Sequence, residues 1–440
     1  MQKFYQEAAR RIPVIAETDI VVAGGGPAGV GAAIAAARNG AKVILLEKYN
    51  NLGGMATSGM MSHWSGAEQC SLLNEVTAAM RRVESCSRED NAQNDAFTRR
   101  RGLYHEAQKT ALQRLALEAG VTIQFHTLVV GAIMEGDCVR GVITESKSGR
   151  EAIYAKIVID ATGDGDVAAF AGAEYLFGRE EDHKCQPVTL MFRIGGVDYS
   201  RAVFPCSFES YIDIPKGEIQ ALGKANLPHP AGHVLLYRAM IPGEVCVNMT
   251  NVTDVDGTKA EELTRAELIC RGQIEVIVPF LREYVPGFEN CYLVAAASFI
   301  GVRETRHFKG LYTITGEDIL EGRVFDDWIA TRNGFNFDIH NVKGPGLDEH
   351  GAQAKYHAKG AYTVPLRACI PVKIKSLALA GRNISGTHLA HSNYRVMTIC
   401  LNVGYGVGTA AAIALRDGVQ IRDVDIVKVQ KRLEQDGIVP

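Results

Sequence analysis

The segment Gly24-Gly25-Gly26-Pro27-Ala28-Gly29 follows directly on the apolar run Asp19-Ile-Val-Val-Ala23 and precedes the alanine-rich stretch Val30 to Arg38. A short continuous apolar run reads as a buried parallel strand, and the alanines favour a helix. Asn39-Gly40 supplies a left-handed stop. Lys42 to Glu47 then forms a second strand, so a βαβ unit is complete within about 30 residues. In Gly24-x-Gly26-x-x-Gly29 each glycine has a separate physical task. Gly24 permits the tight turn, Gly26 lets the backbone approach a pyrophosphate, and Gly29 lets helix and strand pack closely. The helix start at Pro27 and Ala28 offers free N–H groups to phosphate. Glu47 ends the second strand 23 residues after Gly24, where a carboxylate accepts hydrogen bonds from ribose hydroxyls and repels a 2′-phosphate. The segment therefore predicts a dinucleotide cradle and disfavours NADP.

A chain of 440 residues exceeds one ordinary core and suggests two or three domains. With 47 Lys+Arg against 50 Asp+Glu, it shows no electrostatic footprint for nucleic acid and no polybasic cluster for an anionic membrane. No run is expected to reach the roughly 18 apolar residues that span a bilayer. The first residues carry Lys3, Arg10 and Arg11 without an apolar core, unlike a secretory signal. The ten cysteines form no CxxC pair, so zinc or iron–sulfur spacing is missing, and reduced cysteines fit a cytoplasmic address.

Further along, Glu68 to Glu84 and Leu103 to Ala119 read as helices around a turn at Arg99-Arg100-Arg101-Gly102. Val121 to His126 and Leu128 to Val130 read as strands, and Cys138 to Thr144 with Ala152 to Ile159 as a hairpin. From about Val188 strand-like segments flank a helix at Arg265 to Val278. Asn333 to Gly360 reads as a long loop, Leu377 to Ala380 as a last buried strand, and Met397 to Arg416 as a long helix stopped by Asp417-Gly418. The expected fold is α/β. A Rossmann-type domain with a parallel sheet (residues 18–187 and 366–420) carries an inserted mixed α+β substrate domain (188–365). Residues 1–17 form an N-terminal extension and 421–440 a tail.

Three further motifs select FAD as the dinucleotide. Leu52-Gly53-Gly54-Met55 follows the second strand, where flavoproteins of the glutathione-reductase superfamily carry a glycine pair bordering the flavin end. Ile157-Val-Ile-Asp-Ala161-Thr162-Gly163-Asp164 resembles the strand that closes over the cofactor in that superfamily, and Leu379-Ala-Gly381-Arg382-Asn383 resembles its last FAD-contacting strand. More of the chain, from about Ile12 to Gly418, resembles FAD-dependent oxidoreductases related to the fumarate reductase and aspartate oxidase flavoproteins, among bacterial members of mostly unassigned substrate. The matching pieces include Gly53 to Ser58, Pro187 to Met191, Gly301 to Arg306, Phe337 to Asn341, Ile370-Pro371, Ala380 to Ser385, Arg395 to Thr398 and Gly404 to Ala412. The resemblance implies non-covalent FAD, a two-part fold and redox chemistry. Thr57, Lys48, Val129, Val396 and Met397 complete the expected cofactor positions. A halogenase GWxWxIP-like string, the GD-Ala motif of aromatic hydroxylases and a redox CxxC are all missing.

Reduced flavin gains negative charge near N1, and a helix start aimed there would stabilise it. The helix beginning near Met397, with Arg395 beside it, is the candidate. For proton transfer near N5 the candidates are His391, His340 and His388, since the histidine pKa of about 6.5 suits donor or acceptor. Arg303 and Arg306, in Arg-Glu-Thr-Arg after the apolar Val294 to Ile300, are expected either to clamp a carboxylate or to form an internal ion pair, Arg303 with Glu304 or with a distant acid. His63 is not expected to tether the flavin covalently, and Trp64 is read as packing near the isoalloxazine or in a pocket wall. His340, His350 and His357 lack metal-ligand spacing, and no metal is expected.

These readings converge on a dehydrogenase or reductase that moves a hydride between flavin N5 and a small polar substrate, which bears a carboxylate if the arginines act as a clamp. The alternatives are an oxidase or monooxygenase using O2, and a non-catalytic electron-transfer subunit. The implied partners are the substrate and an electron donor or acceptor. Self-association into a homo-oligomer is left open.

Overall fold

The computed structural model describes residues 5–67, 70–83, 102–351 and 357–440. Its central sheet runs in the order β3-β2-β1-β6-β5-β4, with β1 Val14–Ala23, β2 Val43–Leu46, β3 Thr122–Gln124, β4 Leu128–Glu135, β5 Cys138–Ser146 and β6 Gly149–Asp160. β1, β2, β3 and β6 are mutually parallel. The short strand Leu377–Leu379 adds in parallel to the far end of β6, which returns the C-terminal segment to the sheet. β6 is long enough for two tasks: its first half forms the predicted antiparallel hairpin with β5, and its second half carries the parallel pairing. Ile20 to Ala23 and Val158 to Asp160 are fully buried, as strands covered on both faces must be.

Helix Pro27–Arg38 lies against helix Met397–Asp417 through a seam of small residues. A Cβ placed on Gly404 would stand 1.9 Å from the carbonyl oxygen of Ala28; on Gly408, 2.2 Å from that of Ala32; on Gly31, 2.4 Å from that of Leu401. The two backbones touch, so no larger side chain fits between them. Gly404→Val is expected to destabilise by at least about 3 kcal/mol. Gly272→Ala, on an open helix face where an added Cβ meets nothing within 4 Å, should gain roughly 0.5–1 kcal/mol. Thermal melts of both variants read the difference, and equal melts would contradict the seam.

A second core holds the antiparallel sheet Leu236–Arg238, Val245–Val247, Phe192–Gly195 and Tyr292–Ala296, in that spatial order. Helix Ala260–Tyr284 packs there through Ala266, Cys270, Ile274, Ile277 and Leu281.

Several boundaries differ from expectation. The buried residues of the second core run from Val188 to Ile300, whereas Phe308, Ile314, Trp328 and Val364 belong to the first core. The inserted unit therefore stops near residue 302 instead of 365. The cause is pairing: Arg306–Phe308 bonds to Tyr175–Phe177, and Trp328–Asn333 to Tyr362–Pro365. The expected N-terminal extension is shorter because β1 starts at Val14, opposite Ala152. The expected tail is a helix, Ile426–Gln435, with Val429 and Leu433 fully buried and Arg432 bonded to Asn39. Helix Met397–Asp417 is long and apolar enough to cross a membrane, contrary to the sequence reading, but 94% of its apolar window is buried inside the fold. The helix expected at Glu68 to Glu84 is observed, among the described residues, as Ser71–Arg81. Arg99 to Arg101 lie outside the described residues.

Candidate functional site

The glycine turn forms the cradle that the sequence predicts. Gly24 takes φ +98°, and a Cβ there would stand 2.4 Å from the Ala161 carbonyl oxygen; one on Gly29 would stand 1.8 Å from that of Gly24. Both glycines are required by close packing. Gly26 is different, because a Cβ on it would meet nothing within 4 Å. Gly26 is the N-cap of the Pro27 helix, with no side-chain cap on the first N–H groups. Open space above uncapped donors at a helix start suits a diphosphate. Gly53 and Gly54, both at positive φ, bring a second loop over the cradle, so that a Cβ on Gly54 would lie 3.2 Å from Gly26 Cα.

Glu47 is buried at the end of β2. Its two oxygens accept the Gly25 and Tyr49 N–H groups at 2.7 and 2.9 Å, which fixes its position. Each oxygen keeps a lone pair for a ribose hydroxyl. Lys48 is exposed and stands over the Tyr49 ring. Thr57 bonds the Leu52 carbonyl, Met55 lies in the turn Gly54–Ala56, and Val129 is buried on β4.

Opposite the cradle, Ala161 closes against β1, its N–H donating to Ala23 O. Asp160 is buried, and burial raises its pKa to about 6. Its carboxylate accepts from Thr162 and from the Ala168 N–H, so it holds the Thr162-Gly163 loop in shape. Asn383 donates to the Asp160 carbonyl, and its Oδ1 is buried without a protein partner. Gly381 sits over Ala28. Arg382 is turned away from a direct cofactor role, because its guanidinium bonds Asp164 at 2.6 Å and the Val302 carbonyl at 3.1 Å. Val396 is the N-cap of the long helix and Met397 its first residue, again without a side-chain cap.

Between the two cores lies a polar pocket. Arg395 donates to Asp338 Oδ2 at 3.0 Å and to the Asp338 carbonyl at 2.8 Å. His340 Nε2 is 3.4 Å from the same Asp338 oxygen. Burial works to raise the Asp338 carboxyl, yet His340, Arg395 and Arg303 hold it well below the usual range. Burial lowers His340 to about 4 and His233 to about 3, so both are neutral at pH 7. The His233 Nε2–H donates to Asn248 O, and its Nδ1 is buried without a partner. Phe208 stands edge-on to both histidines, with ring centroids 4.9 Å away. Arg303 donates to the Pro187 carbonyl and Thr189 Oγ1. Burial, with Arg395 alongside, presses its pKa down to about 9, which leaves it charged at neutral pH.

Arg303 and Arg306 do not converge as a carboxylate clamp. Arg306 bonds Asp166 and the Asp164 carbonyl, because its strand turns it toward the first core. Of the two internal partners expected for Arg303, Glu304 is not bonded to it, and the acid whose charge acts on it is the distant Asp338. Glu304 Oε1 instead receives His307 Nε2 at 2.8 Å and His388 Nδ1 at 2.6 Å. His391 is fully buried against His307, with ring centroids 4.6 Å apart. The predicted histidines thus divide: His340 joins the arginines, while His388 and His391 surround Glu304. Gln186 links the groups, donating its N–H to Glu304 and accepting from His340 N–H and Arg395. Sequence reasoning missed Gln186, His233, His307 and Asp338. The spacings Asp338-x-His340 and Glu304-x-x-His307 were the available signal for two of them; His233 and Gln186 carry none.

His63 bonds Ser62 and lies 5.4 Å from the Tyr237 ring, and the neighbouring Trp64 is buried. A cleft of about 470 Å³, lined by Phe208, Tyr211, Lys224, His233, Asn341 and Leu347, reaches the pocket from solvent. A larger cavity of about 620 Å³ beside Asp19, Lys42 and Lys156 lies at the opposite end of β1 from the glycine turn, away from these groups.

Residues 19–433 match the family described as FAD dependent oxidoreductase. A curated relative, digeranylgeranylglycerophospholipid reductase 1 of Methanococcoides burtonii, is 28% identical over 197 residues, 42% of this chain and 46% of the relative. The match therefore spans less than half of that relative's length. A geranylgeranyl bacteriochlorophyll reductase-like protein from Thermoplasma acidophilum shares the fold at TM-score 0.50 and 14% identity, over 95% of this chain and 83% of that one. A myxobacterial chondrochloren halogenase aligns at TM-score 0.47 and 13% identity, over 95% and 78%. With the cradle fitted to a diphosphate and the family matched over nearly its whole length, this chain belongs to the FAD-dependent oxidoreductases, is an enzyme, and takes FAD as its cofactor.

Proposed function

We propose that the enzyme is a dehydrogenase or reductase acting on a small carboxylate-bearing substrate, akin in chemistry to the fumarate reductase and aspartate oxidase flavoproteins, with FAD held non-covalently. FAD, when bound, exchanges a hydride with the substrate carbon at N5. One observation carries the reading: the charge of the pocket between the cores. Arg303 and Arg395 bring two positive charges and Asp338 one negative, while His340 and His233 are neutral. Asp338 is committed to Arg395 and His340. Among the described residues, Arg303 has only a carbonyl and a hydroxyl as hydrogen-bond acceptors. A poorly hydrated cation of this kind calls for an anion, and a planar guanidinium matches a carboxylate.

In this scheme Arg303 anchors the substrate carboxylate and the free Arg395 Nε–H points a second donor into the same region. Neutral His340 accepts or returns the substrate proton, and Asp338 orients its ring. The test is anaerobic mixing of the FAD-loaded enzyme with short hydroxy, amino and dicarboxylic acids. A carboxylate should bleach the flavin absorption while its methyl ester or amide does not. Equal reduction by acid and ester would sink the proposal. His340→Ala should keep the yellow colour and slow flavin reduction by about 10²-fold or more; an unchanged rate removes His340 from the chemistry.

A further inference from the structure

Glu304, His307 and His391 each place one potential ligand atom within 4.8 Å of the other two, and all three residues are buried. We infer that these three side chains form a binding site for a divalent transition-metal ion, with Zn2+ as the probe. Two imidazoles and a carboxylate are the donor set such ions take, with a position left open.

The hydrogen bonds already around the cluster are those that orient metal ligands. His307 Nδ1 faces the Gly386 carbonyl at 3.2 Å. A carbonyl only accepts, so Nδ1–H donates there and Nε2 stands 2.8 Å from Glu304 Oε1. A metal ion bound here would take the place of the proton that otherwise joins Nε2 to Oε1. The spacing is close to the roughly 3.3 Å between ligand atoms of a tetrahedral ion with bonds near 2.0–2.2 Å. His391 supplies the independent observation: it is 1% exposed and its Nδ1 is buried without a partner.

His388 completes the surroundings. It donates from Nδ1 to Glu304 Oε1, while the other Glu304 oxygen accepts the Gln186 N–H, so the carboxylate is fixed on both sides. The ligands come from segments 84 residues apart, which is why no ligand spacing is visible along the chain. This inference is independent of the substrate proposed above.

The test uses FAD-loaded enzyme treated with chelator, desalted, incubated with excess Zn2+ and desalted again before elemental analysis. Wild type should retain about one zinc per chain, and Glu304→Gln and His391→Ala roughly a tenth of that or less, at unchanged FAD content. Wild type without zinc overturns the site, because protons alone then hold the cluster together. Variants with full zinc overturn it equally, because the ion then sits elsewhere. Should the variants fail to fold, zinc-edge anomalous diffraction from wild-type crystals decides: a peak among the three side chains supports the site, and its absence there overturns it.

Discussion

Gly26→Val should give a folded, colourless protein. The three glycines of the turn look alike in sequence but stand in different surroundings. A side chain at Gly24 or Gly29 collides with backbone, whereas one at Gly26 enters open space. The valine therefore costs the cofactor-free chain little, within about 1 kcal/mol, but occupies the volume above the uncapped helix start where the diphosphate is expected. FAD affinity should fall at least a hundredfold, about 2.7 kcal/mol. The measurement is FAD content after desalting, with the melting temperature compared to cofactor-stripped wild type. Normal FAD content would move the phosphates off this helix.

The second large effect is expected at Arg303. Arg303→Met should lower kcat/KM for a carboxylate substrate by about 10²–10³, the cost of removing one partner of a desolvated charge pair, without loss of FAD. Arg303→Lys keeps the charge but not the planar fork, and should recover part of the loss. Stability of the substrate-free enzyme should change by no more than about 1 kcal/mol, because Arg303 has no acidic hydrogen-bond partner to strand. A neutral substrate analogue turned over equally by wild type and Met variant would complete the pattern. Unchanged kcat/KM for the carboxylate would remove Arg303 from substrate binding.

The cradle was legible because its determinants are local. The strand from Asp19, the three glycines, the helix and Glu47 lie within 29 residues, and each restricts its neighbours. The helix stops at Gly40 and Gly418 were legible for the same reason, and both take positive φ. The pocket was only half legible. Arg303, His340 and Arg395 could be nominated by type, but which of them meet depends on Gln186 and Asp338, whose importance arises from packing between two cores. Arg306 illustrates the limit: three residues from Arg303, it faces another core because its strand pairs with Tyr175–Phe177. The boundary near residue 302 was hidden for a related reason, since short strands reveal their partners only in three dimensions. The seam of Gly31, Gly404 and Gly408 was present in the sequence as small residues on two helices, but nothing in either helix alone says that they face each other.

That seam has a consequence for biosynthesis. The nucleotide-binding turn is synthesised more than 350 residues before the helix that braces it from behind. A nascent chain halted before residue 397 has the phosphate loop and no support for it. Loading of the flavin must therefore wait until residues 397–417 have emerged, and chains cut before them should be apoprotein even though every residue of the fingerprint is intact.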